Sequence, residues 1–253
     1  MDDVLLIEAA AQYDEQGFCG PIKAFEPARL AGVAQEVVDE IAASTDALRA
    51  RRNRHHDWPI IGDLLRPSPI IALAKQILGP ELVLWRTHLF LANTGEGLRW
   101  HQDQYGALLA DTASQMSVHL ALSEAPPGNC VAVLPGSHRM TVDDLERRGF
   151  KHIPALGVGG GNSVYWRSAD ARVNVVKMVL QPGEFFCFHP RLLHASLDET
   201  TPLGVQPIPP QTKPSGAGST RVGIAFRFAT PENTVLPAAF EGASPNGGRC
   251  IRL

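Results

Sequence analysis

The chain has 253 residues, of which 44% are hydrophobic and 19% charged, and its formal net charge is -3. This composition excludes an intrinsically disordered chain, and the charge balance argues against nucleic acid or an anionic membrane as partners. The four cysteines lack CxxC spacing, and no apolar stretch approaches the roughly 20 residues of a membrane span. We therefore expect a soluble, cytoplasmic protein whose thiols are reduced.

The first third of the chain has helical patterns. After Pro27, apolar residues recur at helical spacing up to Ile41, and residues 68–78 form a second helical candidate that Gly79 and Pro80 end. Between them, residues 50–54 carry three arginines, and we expect a solvated basic turn there.

From Glu81 onward the chain becomes β-rich, with short apolar segments separated by turn signals. The predicted strands are residues 83–91, 115–122, 130–134, 173–180, 184–188 and 221–228. Two long loops are expected at residues 157–169, which are rich in glycine, and 201–219, which are rich in proline. Helices followed by many short strands favour a β-sandwich or barrel with helices packed outside.

The strongest chemical signal is the tripeptide His101-Gln102-Asp103. On an extended strand, residues i and i+2 share a face, so His101 and Asp103 can point at one centre while Gln102 points away. A further imidazole is available downstream from His189 or His194. Two imidazoles and one carboxylate form the ligand set that holds iron(II) and leaves coordination positions open.

A second signal is the pair Arg221 and Arg227, which interrupts an apolar strand at even spacing, so both side chains face the same side. A buried arginine is costly unless it meets an anion. That anion is either the distal carboxylate of a dicarboxylate co-substrate or a buried Asp or Glu in a structural ion pair.

Taken in order, these segments resemble the phytanoyl-CoA dioxygenase-like family of Fe(II)- and 2-oxoglutarate-dependent oxygenases. The segments that carry the resemblance are residues 13–18, 100–103, 128–139, 182–189, 194–196 and the strand that begins at Arg221. The most specific is Gly-Asn-Cys-Val-Ala-Val-Leu-Pro-Gly-Ser-His-Arg at 128–139. Some segments also resemble the halogenase branch of the family, in which a small residue replaces the metal carboxylate. Here Asp103 is retained, so the expected reaction is hydroxylation or a related oxidation.

The resemblance implies a β-rich (α+β) fold, a double-stranded β-helix (jelly roll, cupin-like) with N-terminal helices packed outside. It is expected as a single domain over residues 1–253, with a mainly helical part at 1–80, the jelly-roll core at 81–230 and a C-terminal tail at 231–253.

The resemblance also implies the site. It assigns His101, Asp103 and His194 as iron ligands and Arg221 to the distal carboxylate of 2-oxoglutarate, while His138 is expected to be structural. Ser196, Arg227 and His119 complete the predicted co-substrate site. His119 is a departure from the family, whose members often carry a tryptophan near this position, and the alternative is that it is a satisfied core histidine. The implied cofactors are Fe(II), 2-oxoglutarate and O2, with succinate and CO2 as products.

The substrate is expected to be a small molecule, such as an amino acid, free or tethered to a carrier protein, or a natural-product intermediate of secondary metabolism. The candidate substrate residues are Arg86, His88, Gln102, Tyr105 and Trp166. Two alternatives remain open: a cupin-like metal protein without 2-oxoglutarate chemistry, and a non-catalytic binding module. Arg221 distinguishes a 2-oxoglutarate-dependent enzyme from these alternatives, since a cupin that lacks a keto acid has no need of an inward guanidinium.

Overall fold

The structure is a computed structural model, which describes residues 1–46, 50–66, 68–92, 99–103, 109, 111, 113–153, 164–168, 174–196, 220–233 and 251–253. Its α-helices are α1 (Asp3–Gln16), α2 (Pro27–Ala43), α3 (Pro59–Leu65), α4 (Pro69–Leu78) and α5 (Val142–Arg147). Its strands are β1 (Phe18–Lys23), β2 (Val83–Ala92), β3 (His101–Gln102), β4 (Gln115–Ala121), β5 (Val131–Val133), β6 (Phe150–Ile153), β7 (Val164–Ser168), β8 (Val176–Met178), β9 (Glu184–Phe188), β10 (His194–Ser196), β11 (Arg221–Ala229) and β12 (Ile251–Arg252).

The strands form two six-stranded sheets in which the paired strands are antiparallel. The first sheet has the order β1-β9-β4-β11-β2-β12, and the second has the order β6-β7-β3-β10-β5-β8. This arrangement confirms the predicted β-rich jelly roll. The expected helical part also contributes β1, and the last residues of the chain contribute β12, so both ends of the chain add strands to the first sheet.

The central strands β4 and β11 of the first sheet are buried on both faces because helices cover their outer side. All nine residues of β11 are buried. Val222, Ile224 and Phe226 belong to one apolar cluster with Leu30 and Val37 of α2. The alternate residues of β11, starting with Arg221, therefore face the second sheet. The polar side chains of this strand are thus directed into the space between the sheets.

The predicted loop at 157–169 is wrong in part, because residues 164–168 form β7. This strand pairs with β3 and β6, and Trp166 is 2% exposed. The sequence Val164-Tyr165-Trp166 has high β propensity and buries a large ring, which outweighs the preceding run of glycines. Residues 157–163 and 169, like the predicted loop at 201–219, lie outside the described residues.

The expectation of a solvated turn at 50–54 is also wrong. Asn53 is buried and accepts a hydrogen bond through Oδ1 from the Thr87 N–H at 3.4 Å. Arg52 forms an isolated β-bridge with His88, and Arg54 pairs with Glu40 at 2.9 Å. The segment packs along β2, and Arg51 Nη1 lies 3.5 Å from the Leu91 carbonyl oxygen of that strand.

The thiols of Cys19, Cys130 and Cys187 are free and buried, and Cys250 lies outside the described residues. Within the described ranges, no helix combines the length and apolar character that crossing a bilayer requires.

His55 contacts β2, and its burial leads to a prediction of how the free energy of unfolding depends on pH. Its Nδ1 lies 2.9 Å from Thr87 Oγ1, and burial, followed by the neighbouring His56, lowers its pKa to about 3. The unfolded chain, with a histidine pKa near 6.5, therefore binds more protons below that pH, so stability is lost as pH falls from about 6.5 towards 3. Chemical denaturation should show a drop in unfolding free energy between pH 7 and 5, of which about 2 kcal/mol comes from this group. A His55→Gln variant should show a correspondingly smaller drop, and an unchanged drop would contradict the assignment.

Candidate active site

Three potential metal ligands converge between the sheets. His101 lies in β3, Asp103 follows that strand by one residue, and His194 begins β10. The antiparallel register of β3 and β10 places His194 directly opposite His101. One ligand atom from each of the three buried side chains lies within 4.8 Å of the others. The pairing of two short strands therefore brings together residues that are more than 90 positions apart in the chain.

Both histidines are oriented by a backbone carbonyl two residues earlier. Nδ1 of His101 lies 2.8 Å from the Arg99 carbonyl oxygen, and Nδ1 of His194 lies 2.9 Å from that of Leu192. Burial lowers the pKa of both rings, that of His194 to about 3, so both are neutral near pH 7. A neutral ring that donates from Nδ1 keeps a lone pair on Nε2. Metal-binding histidines are commonly fixed by this second hydrogen bond.

The carboxylate of Asp103 has two distinct environments. Its Oδ1 lies 3.7 Å from His101 Nε2, on the side of the shared centre. Its Oδ2 accepts hydrogen bonds from Arg227 Nη2 at 3.2 Å and from Ser117 Oγ at 3.4 Å. Two imidazole nitrogens and one carboxylate oxygen are a donor set that fits iron(II).

Arg221 lies on the opposite wall, in the first sheet, and is held by three polar side chains. Its Nη2 donates to Ser196 Oγ at 3.2 Å, its Nη1 lies 3.3 Å from His119 Nε2, and its Nε donates to Asn129 Oδ1 at 3.5 Å. Burial, and then the charge of Arg221, lowers the pKa of His119 well below its usual range, so His119 accepts this hydrogen bond as a neutral ring. Burial lowers the pKa of Arg221 to about 10, which leaves it protonated at neutral pH.

A cleft connects the three ligands with Arg221. Five apolar residues contribute to its wall, among them Phe90, Phe186 and Phe188. Its complete lining is Phe90, His101, Asp103, His119, Val131, Phe186, Phe188, His194, Ser196, Arg221, Ala225 and Arg227. A wall that combines aromatic surface with convergent polar groups is typical of a small-molecule site.

Three of the four predicted co-substrate residues lie together, and the fourth, Arg227, does not. Arg221, His119 and Ser196 form one cluster, whereas Arg227 lies beside Asp103. Sequence reasoning missed Asn129 and Ser117. The signal for Asn129 was its place at the start of the most specific motif, next to Cys130. Ser117 had no such signal, because only the strand pairing places it near Asp103.

The predicted substrate residues fall into two groups. Arg86 and His88 lie opposite Arg227 and Ala225 in the pairing of β2 with β11, so they share the inner face of the first sheet, but they are not among the described residues that line the cleft. Gln102 instead donates to the Arg191 carbonyl oxygen at 2.6 Å and accepts from Trp166 Nε1 at 3.3 Å. This pair lies behind β3, outside the described lining of the cleft. Tyr105 lies outside the described residues.

The competing histidine, His189, belongs to a separate group. Its ring centroid lies 5.3 Å from that of His138 and 6.2 Å from that of Tyr13. His138 Nε2 lies 3.1 Å from the Asp14 carbonyl oxygen, which connects the loop after β5 to α1. These contacts describe a structural role for His138, and the metal-ligand set within the described residues contains His194 rather than His189.

Gly223 leaves room for the ring that supports Arg221. A Cβ at this position would lie 3.0 Å from His119 Cε1 and Nε2. We expect Gly223→Ala to displace His119 and loosen Arg221, and overpacking of this kind costs about 1–3 kcal/mol. The KM for 2-oxoglutarate should therefore rise by about fivefold or more. Metal affinity should be unchanged. Steady-state kinetics measures the KM for 2-oxoglutarate, and a metal-binding titration measures the affinity for metal. An unchanged KM would contradict this role of His119.

Two characterised proteins are similar in sequence. The ectoine dioxygenase of Nocardia farcinica (strain IFM 10152) is 25% identical over 155 residues, which cover 56% of this chain and 51% of that protein. The L-proline trans-4-hydroxylase of Streptomyces griseoviridis is 24% identical over 195 residues, which cover 68% of this chain and 70% of that protein. The chain thus spans about half the length of the first relative and 70% of the length of the second.

Solved structures show the same fold. The alpha-ketoglutarate-dependent epimerase SnoN from nogalamycin biosynthesis matches with a TM-score of 0.68 at 15% identity, over 94% of this chain and 87% of that one. CytC3, solved with Fe(II) and alpha-ketoglutarate, matches with a TM-score of 0.61 at 21% identity, over 91% of this chain and 79% of that one. At these identities the matches establish the fold.

The family itself is established by a model of the phytanoyl-CoA dioxygenase (PhyH) family, which matches residues 13–203 of the 253-residue chain. The matched span contains His101, Asp103 and His194, and Arg221 lies beyond it. This match confirms the predicted family, whose name describes a dioxygenase. The chain belongs to the phytanoyl-CoA dioxygenase (PhyH) family.

Proposed function

We propose that this chain is an Fe(II)- and 2-oxoglutarate-dependent dioxygenase that hydroxylates a C–H bond of a small metabolite and releases succinate and CO2. The observation that carries the proposal is the convergence of His101, Asp103, His194 and Arg221 on one buried cleft. A metal protein without a keto acid, or a binding module, would require the ligand set or the cleft but not the buried guanidinium beside them.

In the proposed site, His101, Asp103 and His194 hold the iron. Arg221 binds the distal carboxylate of 2-oxoglutarate, since its planar guanidinium matches a carboxylate with two parallel hydrogen bonds. Ser196 and His119 keep this guanidinium in place from two sides. When bound, iron and the keto acid would supply the oxidising chemistry, with dioxygen as the oxidant: one of its oxygen atoms would enter succinate as 2-oxoglutarate loses CO2, and the other would enter the hydroxylated substrate.

The rest of the cleft positions the reactants and excludes water. Phe90, Phe186 and Phe188 contribute aromatic surface beside the ligands. An apolar wall lowers the local dielectric, which strengthens the contact between Arg221 and its carboxylate. It also keeps bulk water away from the reacting groups.

The first test is anaerobic addition of Fe(II) and 2-oxoglutarate to the purified protein. The expected result is a weak visible charge-transfer band, followed by succinate release when oxygen and a substrate are supplied. Screening amino acids and small metabolites for stimulated succinate release then identifies the substrate. A protein that binds Fe(II) but gives neither the band nor succinate would favour the cupin-like alternative.

We further propose that the substrate carries a carboxylate, with an amino acid, free or tethered through a carrier protein, as its class. The related L-proline trans-4-hydroxylase is named for an amino-acid substrate. Arg86 and His88 lie on the inner face of the first sheet, opposite Arg227 and Ala225. A cationic side chain on this face can meet a substrate carboxylate while Arg221 is engaged by the co-substrate.

The role of Arg86 is tested with the substrate that the screen identifies. Arg86→Gln should raise the substrate KM by roughly 30-fold or more, since truncating one partner of a buried charge pair costs about 2–5 kcal/mol. The KM for 2-oxoglutarate should stay the same. The matched comparison uses the carboxamide of the substrate. The wild-type protein should discriminate against the carboxamide, and Arg86→Gln should lose most of this discrimination. An unchanged substrate KM would remove Arg86 from this role.

A further inference from the structure

The carboxylate of Asp103 is held from the sheet opposite to the one that supplies the histidines. Arg227 in β11 and Ser117 in β4 are direct cross-strand partners in the first sheet. Both donate to the same atom, Asp103 Oδ2, at 3.2 Å and 3.4 Å. The side chains of Arg227 and Asp103 are 7% and 4% exposed, so solvent screens their attraction little.

This contact matters because β3 does not extend to Asp103. The strand ends at Gln102, so the β-ladder that orients His101 does not orient the carboxylate. Oδ1 is the oxygen that approaches His101 Nε2, whereas Oδ2 is turned towards the first sheet. The two carboxylate oxygens are therefore divided between two tasks.

We propose that Arg227 is a positioning residue that holds Asp103 by Oδ2 and so presents only Oδ1 to the metal, with Ser117 as a weaker second donor. This inference rests on the proposed metal site. A carboxylate that binds through one oxygen takes a single coordination position, whereas one that turns both oxygens inward takes two. Arg227 thus preserves the positions that a chelating co-substrate and dioxygen require.

The positive charge of Arg227 and its proposed positioning role have opposite effects on metal affinity. A guanidinium near the site repels a divalent cation, so an effect of charge alone predicts that Arg227→Met binds metal more tightly. A positioning role predicts weaker binding, because loss of a residue that orients a metal ligand typically costs about 10–100-fold in affinity. The direction of the change distinguishes the two.

The experiment measures Co(II) binding by calorimetry and by visible absorption, without 2-oxoglutarate. Arg227→Met should weaken Co(II) binding by about 10–100-fold and alter the absorption spectrum, because the released carboxylate changes the coordination of the metal. Arg227→Lys, which keeps the charge and one donor, should recover part of the affinity. Ser117→Ala, which removes the longer contact, should have a smaller effect than Arg227→Met.

Arg139→Met is the matched control, because it removes an exposed ion pair with Asp14 at 2.9 Å and should leave Co(II) binding unchanged. Unchanged or tighter Co(II) binding in Arg227→Met would overturn the proposal, whatever the spectrum. Should that variant fail to fold, Arg227→Lys must weaken Co(II) binding more than Ser117→Ala, and the reverse order would overturn it. A wild-type protein that does not bind Co(II) would instead contradict the proposed metal site.

Discussion

Replacing His101 by alanine is expected to reduce succinate formation to the level measured without enzyme. The substitution removes one of the two neutral imidazoles whose Nε2 atoms face the shared centre. A carboxylate and a single imidazole hold a divalent ion too weakly to retain it during purification. Metal analysis of the purified variant, together with a succinate assay, measures both effects.

The matched control for this prediction is His189→Ala, which removes the other downstream histidine. His189 packs against His138 and Tyr13, outside the predicted ligand set. The folded variant should retain bound metal and succinate formation. Loss of metal from His189→Ala, or full turnover by His101→Ala, would contradict the assignment of the ligands.

Replacing Arg221 by alanine is expected to raise the KM for 2-oxoglutarate by roughly 30-fold or more. Truncating one partner of a buried charge pair costs about 2–5 kcal/mol, and about 1.4 kcal/mol corresponds to a factor of ten. Metal binding should persist, because Arg221 contacts Ser196, His119 and Asn129 rather than the ligands. Steady-state kinetics with varied 2-oxoglutarate and a metal titration provide the two measurements.

Arg221→Lys controls for the charge of this residue. Lysine keeps the positive charge but loses the planar donor pair that matches a carboxylate. Its KM for 2-oxoglutarate should therefore lie between those of the wild type and Arg221→Ala. An unchanged KM in Arg221→Ala would exclude this residue from co-substrate binding, and the metal site would remain as proposed.

Local patterns predicted two of the five α-helices and six of the twelve strands that the structure describes. The helical spacing after Pro27 corresponds to α2, and residues 184–188 form β9 with the predicted bounds. Such elements follow from the periodicity of their own apolar residues. The two-residue strand β3 has no such periodicity, because it exists only through its pairing with β7 and β10.

In the site too, the sequence predicted the residue types, whereas strand pairing decides which of them meet. The residue types were evident from the sequence, since His101 and Asp103 lie two positions apart on extended backbone and Arg221 interrupts an apolar strand. The choice between His189 and His194 depends on which residue faces β3, and the register of β10 places His194 there. Arg227 was expected at the co-substrate, and its position beside Asp103 follows from the packing of the first sheet against the second.

The order of residues along the chain thus specified the chemistry available to this protein: the ligand types, the buried arginines and the family to which they belong. Which side chains meet was a matter of strand pairing and sheet packing. Hydrogen bonds between distant strands set the register, and burial between two sheets gives the contact of Arg227 with Asp103 its strength. These are long-range interactions, and no short segment of sequence contains both partners.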